Sequence, residues 1–187
     1  YRKVRHVTLP EIHVPVWGTY ITTPYIGDGQ AVVRVRTKVS GIADGTAVTV
    51  TTRIIDAEGR VFAQQTDTRS IHKGMVEQNI TTPAPELWSP ESPSLYKAET
   101  GIYAGGAIDT DWSMERPAIT ISHGTQLQDK VTTRFGFRTI EVRPDVGFLL
   151  NGQVRKFRGV CLHHDLGPLG AAVNKAAIRR QLTILKD

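Results

Sequence analysis

From Ala31 to Ser40 the chain reads AVVRVRTKVS, with Ala31, Val33, Val35 and Val39 falling on one side and Arg34, Arg36 and Lys38 on the other. A period of two is the signature of a half-buried strand, because successive side chains leave opposite faces. Asp44-Gly45 marks a turn, and AVTVTTRII from Ala47 to Ile55 follows with Val48, Val50, Thr52 and Ile54 on one face. These two runs are expected to be antiparallel neighbours. DAEGR turns the chain at 56–60, VFAQQT follows, and MVEQNIT from Met75 to Thr81 places Val76 and Ile80 inward. Pro83, Pro85, Pro90 and Pro93 remove too many N–H donors for 82–94 to be a ladder strand, so it reads as an extended connection. Strand character returns at Leu95–Ala104 and Gln128–Arg138, on either side of a Gly-rich polar stretch with Asp109, Asp111 and Trp112. About seven short strands at a spacing of roughly 8–12 residues predict an all-β fold, an immunoglobulin-like antiparallel β-sandwich.

The pattern changes after Arg138. FLLNGQVRKF, Phe148 to Phe157, predicts a tight hairpin, because Asn151-Gly152 suits the positive dihedrals of a type I′ turn. FRGVCL, Phe157 to Leu162, reads as a continuous apolar strand with Cys161 inside it, and a loop then leads to Asn174, a good N-cap. In KAAIRRQLTILKD, Ile178, Leu182 and Leu185 recur at i, i+4 and i+7, one apolar face of a helix. Strand, loop and helix in that order belong to a parallel α/β fold, and such a unit cannot cover its own faces.

Directly after the apolar run stand His163, His164 and Asp165. In a barrel of parallel strands, active sites occupy the loops at the carboxyl ends of the strands, which makes this cluster a candidate sector of an active-site floor. The competing readings are an ordinary loop with a solvated Asp165, or a metal site. Adjacent side chains of an extended segment diverge, and His6, His13, His72 and His123 fall in or before the sandwich portion, which argues against metal. Cys161 as a nucleophile is disfavoured by its predicted burial.

Composition narrows the classes further. With 187 residues and 40% hydrophobic content, the chain can bury one sizeable core and part of a second. The net charge of +5 is scattered, and the Arg34, Arg36, Lys38 stripe is that of a solvated strand face, so no nucleic-acid partner is expected. A single cysteine excludes an internal disulfide. No apolar run reaches the length of a membrane span, and no membrane partner is expected. The chain opens on Tyr1 without a signal-peptide pattern and stops at Asp187 within the predicted helix, so both ends read as cut and no localisation follows. Asn79-Ile80-Thr81 matches a glycosylation sequon, read as a chance match.

FGFRTIEVRPDVGFLLNGQVRKFRGVCLHHDLGPLG, with ELWSPESPSLY upstream and HVPVWGTYITTP from His13 to Pro24, resembles glycoside hydrolase family 2, and its β-galactosidase-like members in particular. The resemblance implies three parts: residues 1–16 the end of a sugar-binding jelly roll or its linker, 17–138 the immunoglobulin-like sandwich, and 139–187 the first hairpin, strand and helix of an incomplete (β/α)8 catalytic barrel. It implies a retaining exo-glycosidase that hydrolyses terminal β-glycosides with two glutamates, one acid/base and one nucleophile. The family's acid/base follows an Asn, and this chain has no Asn-Glu pair, so neither catalytic glutamate is expected here and the chain alone is expected to be inactive. By position, the resemblance implies that His163 and Asp165 bind substrate in the glycone subsite, with His164 pointing away. Cys161 and His164 depart from the commoner Asn and Glu of the family. No cofactor or metal is implied. The implied partners are a β-glycoside substrate and the remainder of the barrel and jelly roll in the same polypeptide. The alternative from another class is a non-enzymatic immunoglobulin-like module for adhesion, spacing or glycan binding, which accounts for the sandwich and for nothing after Phe148.

Overall fold

The computed structural model describes residue 4, residues 6–104, 108–111, 118–121 and 126–161, residue 163 and residues 166–186, with backbone alone at 108–111 and 118–121. Two compact units result, Leu9–Arg155 and Tyr1–Thr8 with Lys156–Asp187. The larger unit contains β1 (Thr19–Gly27), β2 (Gln30–Lys38), β3 (Ala47–Ile55), β4 (Val61–Ser70), β5 (Met75–Pro83), β6 (Tyr96–Ala104), β7 (Ile108–Asp111), β8 (Ala118–Ile121) and β9 (Gln126–Phe135). It continues through β10 (Ile140–Arg143), β11 (Gly147–Leu150) and β12 (Gln153–Val154). The smaller unit carries a 3-10 turn at Gly167–Leu169 and the helix α1 (Lys175–Lys186).

Two antiparallel sheets make the sandwich, one in the order β1-β2-β5 and one in the order β4-β3-β6-β9. The alternation predicted from sequence is what drives them together. Val33 of β2 and Ile80 of β5 are buried against Ile54 of β3 and Ala98 of β6, so each sheet supplies its apolar face to a shared core. Each such valine or isoleucine removed from water contributes about 1.5–3 kcal/mol. A second cluster, with Val39, Val48, Val50, Val76 and Ile102, fills the other part of the interior. Tyr96 and Phe137 meet edge to face with centroids 4.8 Å apart, and Phe62 and Phe135 pack around them.

The expectation that Ala31–Ser40 and Ala47–Ile55 are neighbours is corrected. β2 pairs with β1 and β5, whereas β3 pairs with β4 and β6, so the two runs lie in opposite sheets. The connection 39–46 is too long for a two-residue hairpin turn, and it is drawn aside by a bridge in which His13 and Ser40 exchange backbone hydrogen bonds of 3.1 and 2.8 Å. The polar stretch between Ala104 and Gln128 also contains more order than expected. β7 and β8 pair antiparallel there, with Ile108 opposite Ile121.

Beside several buried threonines, an amide side chain lies in the core. Gln78 of β5 is 1% exposed, and its amide nitrogen donates to the Val50 carbonyl (3.1 Å) and to Asp67 Oδ2 (3.1 Å), while its oxygen accepts from Thr52 Oγ1 at 2.6 Å. Buried amides are tolerated when fully bonded, and these bonds fix how β5 faces β3 and β4.

The hairpin beyond Arg138 forms as expected. Leu150 pairs with Gln153, Asn151 and Gly152 make the turn with φ of 53° and 75°, and β10 completes a three-stranded sheet. That sheet belongs with the larger unit, which runs through Arg155. The apolar strand expected at Phe157–Leu162 is not formed over its described residues, 157–161. Residues 155–161 have no regular structure, Val160 is 64% exposed, and Cys161 is exposed rather than buried. A strand of a parallel sheet needs ladder partners on both sides.

Candidate functional site

His163 and Asp165 are the site residues that the sequence proposes. His163 is exposed in a stretch without regular structure, and His164 and Asp165 lie outside the described residues. Beyond them the chain closes on itself, with Leu166 N–H donating to the Gly170 carbonyl at 3.0 Å and Gly170 N–H to the Gly167 carbonyl at 2.9 Å. Asn174 caps α1 as expected, its Oδ1 accepting from the backbone of Ala176 (2.9 Å) and Ala177 (3.2 Å). The predicted apolar face is present but uncovered: Leu182 and Leu185 are each 54% exposed, and no residue of α1 is buried. Among the described residues no group of His, Cys, Asp and Glu could hold a metal ion. Among them too, no helix is long and apolar enough to cross a membrane.

The described chemistry gathers instead in the larger unit, where the sequence motifs meet. The proline-rich strap 84–95 stays out of the ladders but is tied down at Leu87, which bridges to Phe137, and at Trp88, whose N–H donates to the Phe137 carbonyl at 2.7 Å. Gly136 is required by this crossing, since a Cβ there would stand 2.7 Å from Trp88 Cβ. The Arg138 guanidinium lies 5.3 Å from the centroid of the Trp88 ring, a cation–π contact. Asn151 then joins strap and hairpin, with Nδ2 donating to the Trp88 carbonyl and Oδ1 accepting from Thr139 N–H, both at 3.0 Å.

Arg155 donates two hydrogen bonds to the Glu91 carboxylate, at 2.7 and 3.0 Å. The Glu91 carboxyl is held below its ordinary range, first by its own backbone N–H and then by Arg155. Beside the strap a cleft of 630 Å³ runs between the edges of β1 and β9, with Tyr20, Trp88, Leu95, Arg134 and Arg138 in its walls. Its size is in the range of small-molecule sites. Sequence reasoning singled out the motifs and assigned them no site. The available signal was a glycine between two aromatics, Phe135-Gly136-Phe137, where a strand would otherwise favour a side chain.

The profile of glycosyl hydrolases family 2 matches residues 13–114. The chain is 36% identical over its whole length to a β-galactosidase of Bacteroides ovatus, of which it covers 20%, and 34% identical to a putative β-glucuronidase of Formosa agariphila, of which it covers 16%. Among solved structures, a glycosyl hydrolase family 2 member from Bacteroides cellulosilyticus superimposes with a TM-score of 0.74 at 27% identity, over 95% of this chain and 21% of that one. A Bacteroides uniformis β-glucuronidase superimposes with a TM-score of 0.70 at 26% identity, over 95% of this chain and 20% of that one. The chain thus spans about a fifth of the length of these relatives. With a profile match over residues 13–114, more than half of the chain, and relatives aligned through every residue from Tyr1 to Asp187, the chain belongs to glycosyl hydrolases family 2.

Proposed function

We propose that this chain is the scaffold portion of a retaining exo-glycosidase, β-galactosidase-like, that hydrolyses terminal β-glycosides. In this reading residues 1–16 end a sugar-binding jelly roll or its linker, 17–138 are the sandwich, and 139–187 begin the catalytic barrel. The two glutamates of the retaining mechanism, about 5–5.5 Å apart in such enzymes, then belong to parts of the polypeptide outside these residues. His163 and Asp165 contribute to the glycone subsite, where an imidazole and a carboxylate can hold sugar hydroxyls and reject substrates that leave them unpaired.

The observation that carries the reading is the alignment to a β-galactosidase through all 187 residues, past the sandwich and on through the His163 loop and α1. A free-standing immunoglobulin-like module has no use for residues 139–187. The uncovered face of α1 supports the same reading, because Leu182 and Leu185 gain their burial only against further elements. A β-glucuronidase is the second reading, favoured by the relative at 34% identity.

The test is the full-length enzyme on p-nitrophenyl β-galactoside, β-glucuronide and β-mannoside. A preference for the galactoside is expected, and His163→Ala is expected to lower kcat/KM by about tenfold or more, the equivalent of one lost hydrogen bond of roughly 1.5–3 kcal/mol. Unchanged kinetics in that variant would remove His163 from the subsite, and preference for the glucuronide would select the second reading. The 187-residue chain alone is expected to turn over none of the three.

A further inference from the structure

The described arginines of residues 9–155 divide into two groups. Arg34 and Arg36 reach Glu77, Arg53 reaches Glu99, Arg60 reaches Asp56, Arg69 reaches Asp67, Arg143 reaches Glu141 and Arg155 reaches Glu91, all within 3.4 Å. Arg134 and Arg138 are the described arginines of this unit that reach no carboxylate, and both line the 630 Å³ cleft between β1 and β9. Among the described residues, no Asp or Glu lines that cleft. Arg134 of β9 also stands directly opposite Lys97 of β6, a cross-strand pair of like charge, which is unfavourable unless an anion relieves it. The next carboxylate along that face, Glu99, is already engaged by Arg53 at 2.6 Å and Lys130 at 3.0 Å.

We propose that the cleft between β1 and β9 is a binding site for an anionic saccharide, its carboxylate or sulfate held by Arg134 and Arg138. Guanidinium forks suit both groups, binding them through paired hydrogen bonds. The remaining walls suit the rest of a sugar: Thr19, Thr22 and Thr133 bring hydroxyls, and Trp88 and Tyr20 bring aromatic surface. The cleft volume lies in the range of roughly 300–1,000 Å³ typical of small-ligand sites. A short acidic glycan therefore fits better than a protein partner. Binding in the cleft needs no turnover to be detected.

Isothermal titration of the 187-residue chain and of the full-length enzyme with trigalacturonate, a sulfated galactan trisaccharide and uncharged galactotriose provides the test. At least one anionic probe is expected to bind both proteins, about tenfold or more tighter than galactotriose, and to weaken as salt is raised. Arg134→Gln and Arg138→Gln are each expected to weaken it by about tenfold, whereas Arg36→Gln, whose partner is Glu77, leaves it unchanged. Arg134→Gln touches no contact of Trp88, so its result stands if Arg138→Gln proves unstable. Equal binding of galactotriose, indifference to both arginine variants, or no binding of either anion overturns the proposal. Binding by the 187-residue chain but not by the full-length enzyme also overturns it, since the cleft would then be filled by the enzyme's own chain.

Discussion

Asn151→Ala is the sharpest test of how the family motifs are joined. Asn151 performs two tasks at once: its backbone takes a φ of 53° in the turn between β11 and β12, and its side chain bonds Thr139 N–H and the Trp88 carbonyl, each at 3.0 Å. Losing the two bonds costs about 0.5–1.5 kcal/mol apiece. Holding an alanine in the left-handed region adds roughly 1–2 kcal/mol, a cost Asn bears more easily. The sum is about 2–5 kcal/mol. Asn151→Gly separates the two contributions, because glycine keeps the turn and loses only the bonds, about 1–3 kcal/mol before its own added chain entropy. Urea unfolding of the 187-residue chain, followed by tryptophan fluorescence and by thermal melting, reads both. At roughly 2–4 °C per kcal/mol for a chain of this size, Asn151→Ala is expected to melt about 4–20 °C below wild type, with Asn151→Gly in between. An alanine variant within about 0.5 kcal/mol of wild type, the ordinary range of surface changes, would refute the latch. A glycine variant as damaged as the alanine one would refute the assignment of strain to the turn.

Two further changes probe the same unit. Gly136→Ala places a methyl 2.7 Å from Trp88 Cβ and 3.0 Å from Cγ, forcing the indole off its seat; a loss of about 1–3 kcal/mol in urea unfolding with a shifted tryptophan emission is expected, and an unshifted spectrum would argue against the crossing. Glu99→Gln tests the ion triad on the outer face of the larger sheet: Lys130 first, and Arg53 after it, hold the Glu99 carboxyl below its ordinary value against the opposing effect of burial. A carboxyl depressed in the folded state contributes stability above its unfolded pKa and loses it as pH falls through the folded one. Wild type is therefore expected to exceed Glu99→Gln in stability at pH 7, with the gap closing below about pH 4.3, and a gap independent of pH would sink the assignment.

The strands were legible because their burial alternates at the period the sequence shows. β5 follows the pattern residue by residue, with Val76, Gln78, Ile80 and Thr82 buried and Glu77, Asn79 and Thr81 exposed. Even there the pattern fixed the face and not its chemistry: Gln78 occupies a core position as a polar residue, which only the convergence of Thr52, Val50 and Asp67 makes tolerable. In β3 the outward residues Thr49 and Thr51 are buried as well, covered across the strands by Thr68 and Thr66 at 2.9 and 3.0 Å, so two-sided burial is hidden in a run that looks half polar. Which strands pair was less legible than which faces turn inward. The turn signal at Asp44-Gly45 is real, but it joins strands of opposite sheets, and no local feature distinguishes that from a hairpin.

The same reasoning separates the two ends of the candidate site. A hairpin with Asn-Gly at its tip carries its instructions within a few residues, and β11 and β12 form where expected. The N-cap of α1 is equally local, and Asn174 bonds the first turn as read. An apolar parallel strand carries no such instructions. Its composition says only what its faces tolerate, and its hydrogen bonds must come from strands elsewhere in the chain. Residues 155–161 meet no ladder among the described residues and leave Val160 and Cys161 exposed, whereas strand β11, which has ladder partners on both sides, buries Leu149 and Leu150. His163 inherits its position from that segment, so its geometry is set by the ladder partners of 157–162 more than by its own neighbours in sequence. The kinetics of His163→Ala are therefore meaningful only in the full-length enzyme proposed above, where a strand at 157–162 would have those partners, whereas the cleft at Arg134 and Arg138 already has walls from β1 and β9 and can be tested in the chain as it is.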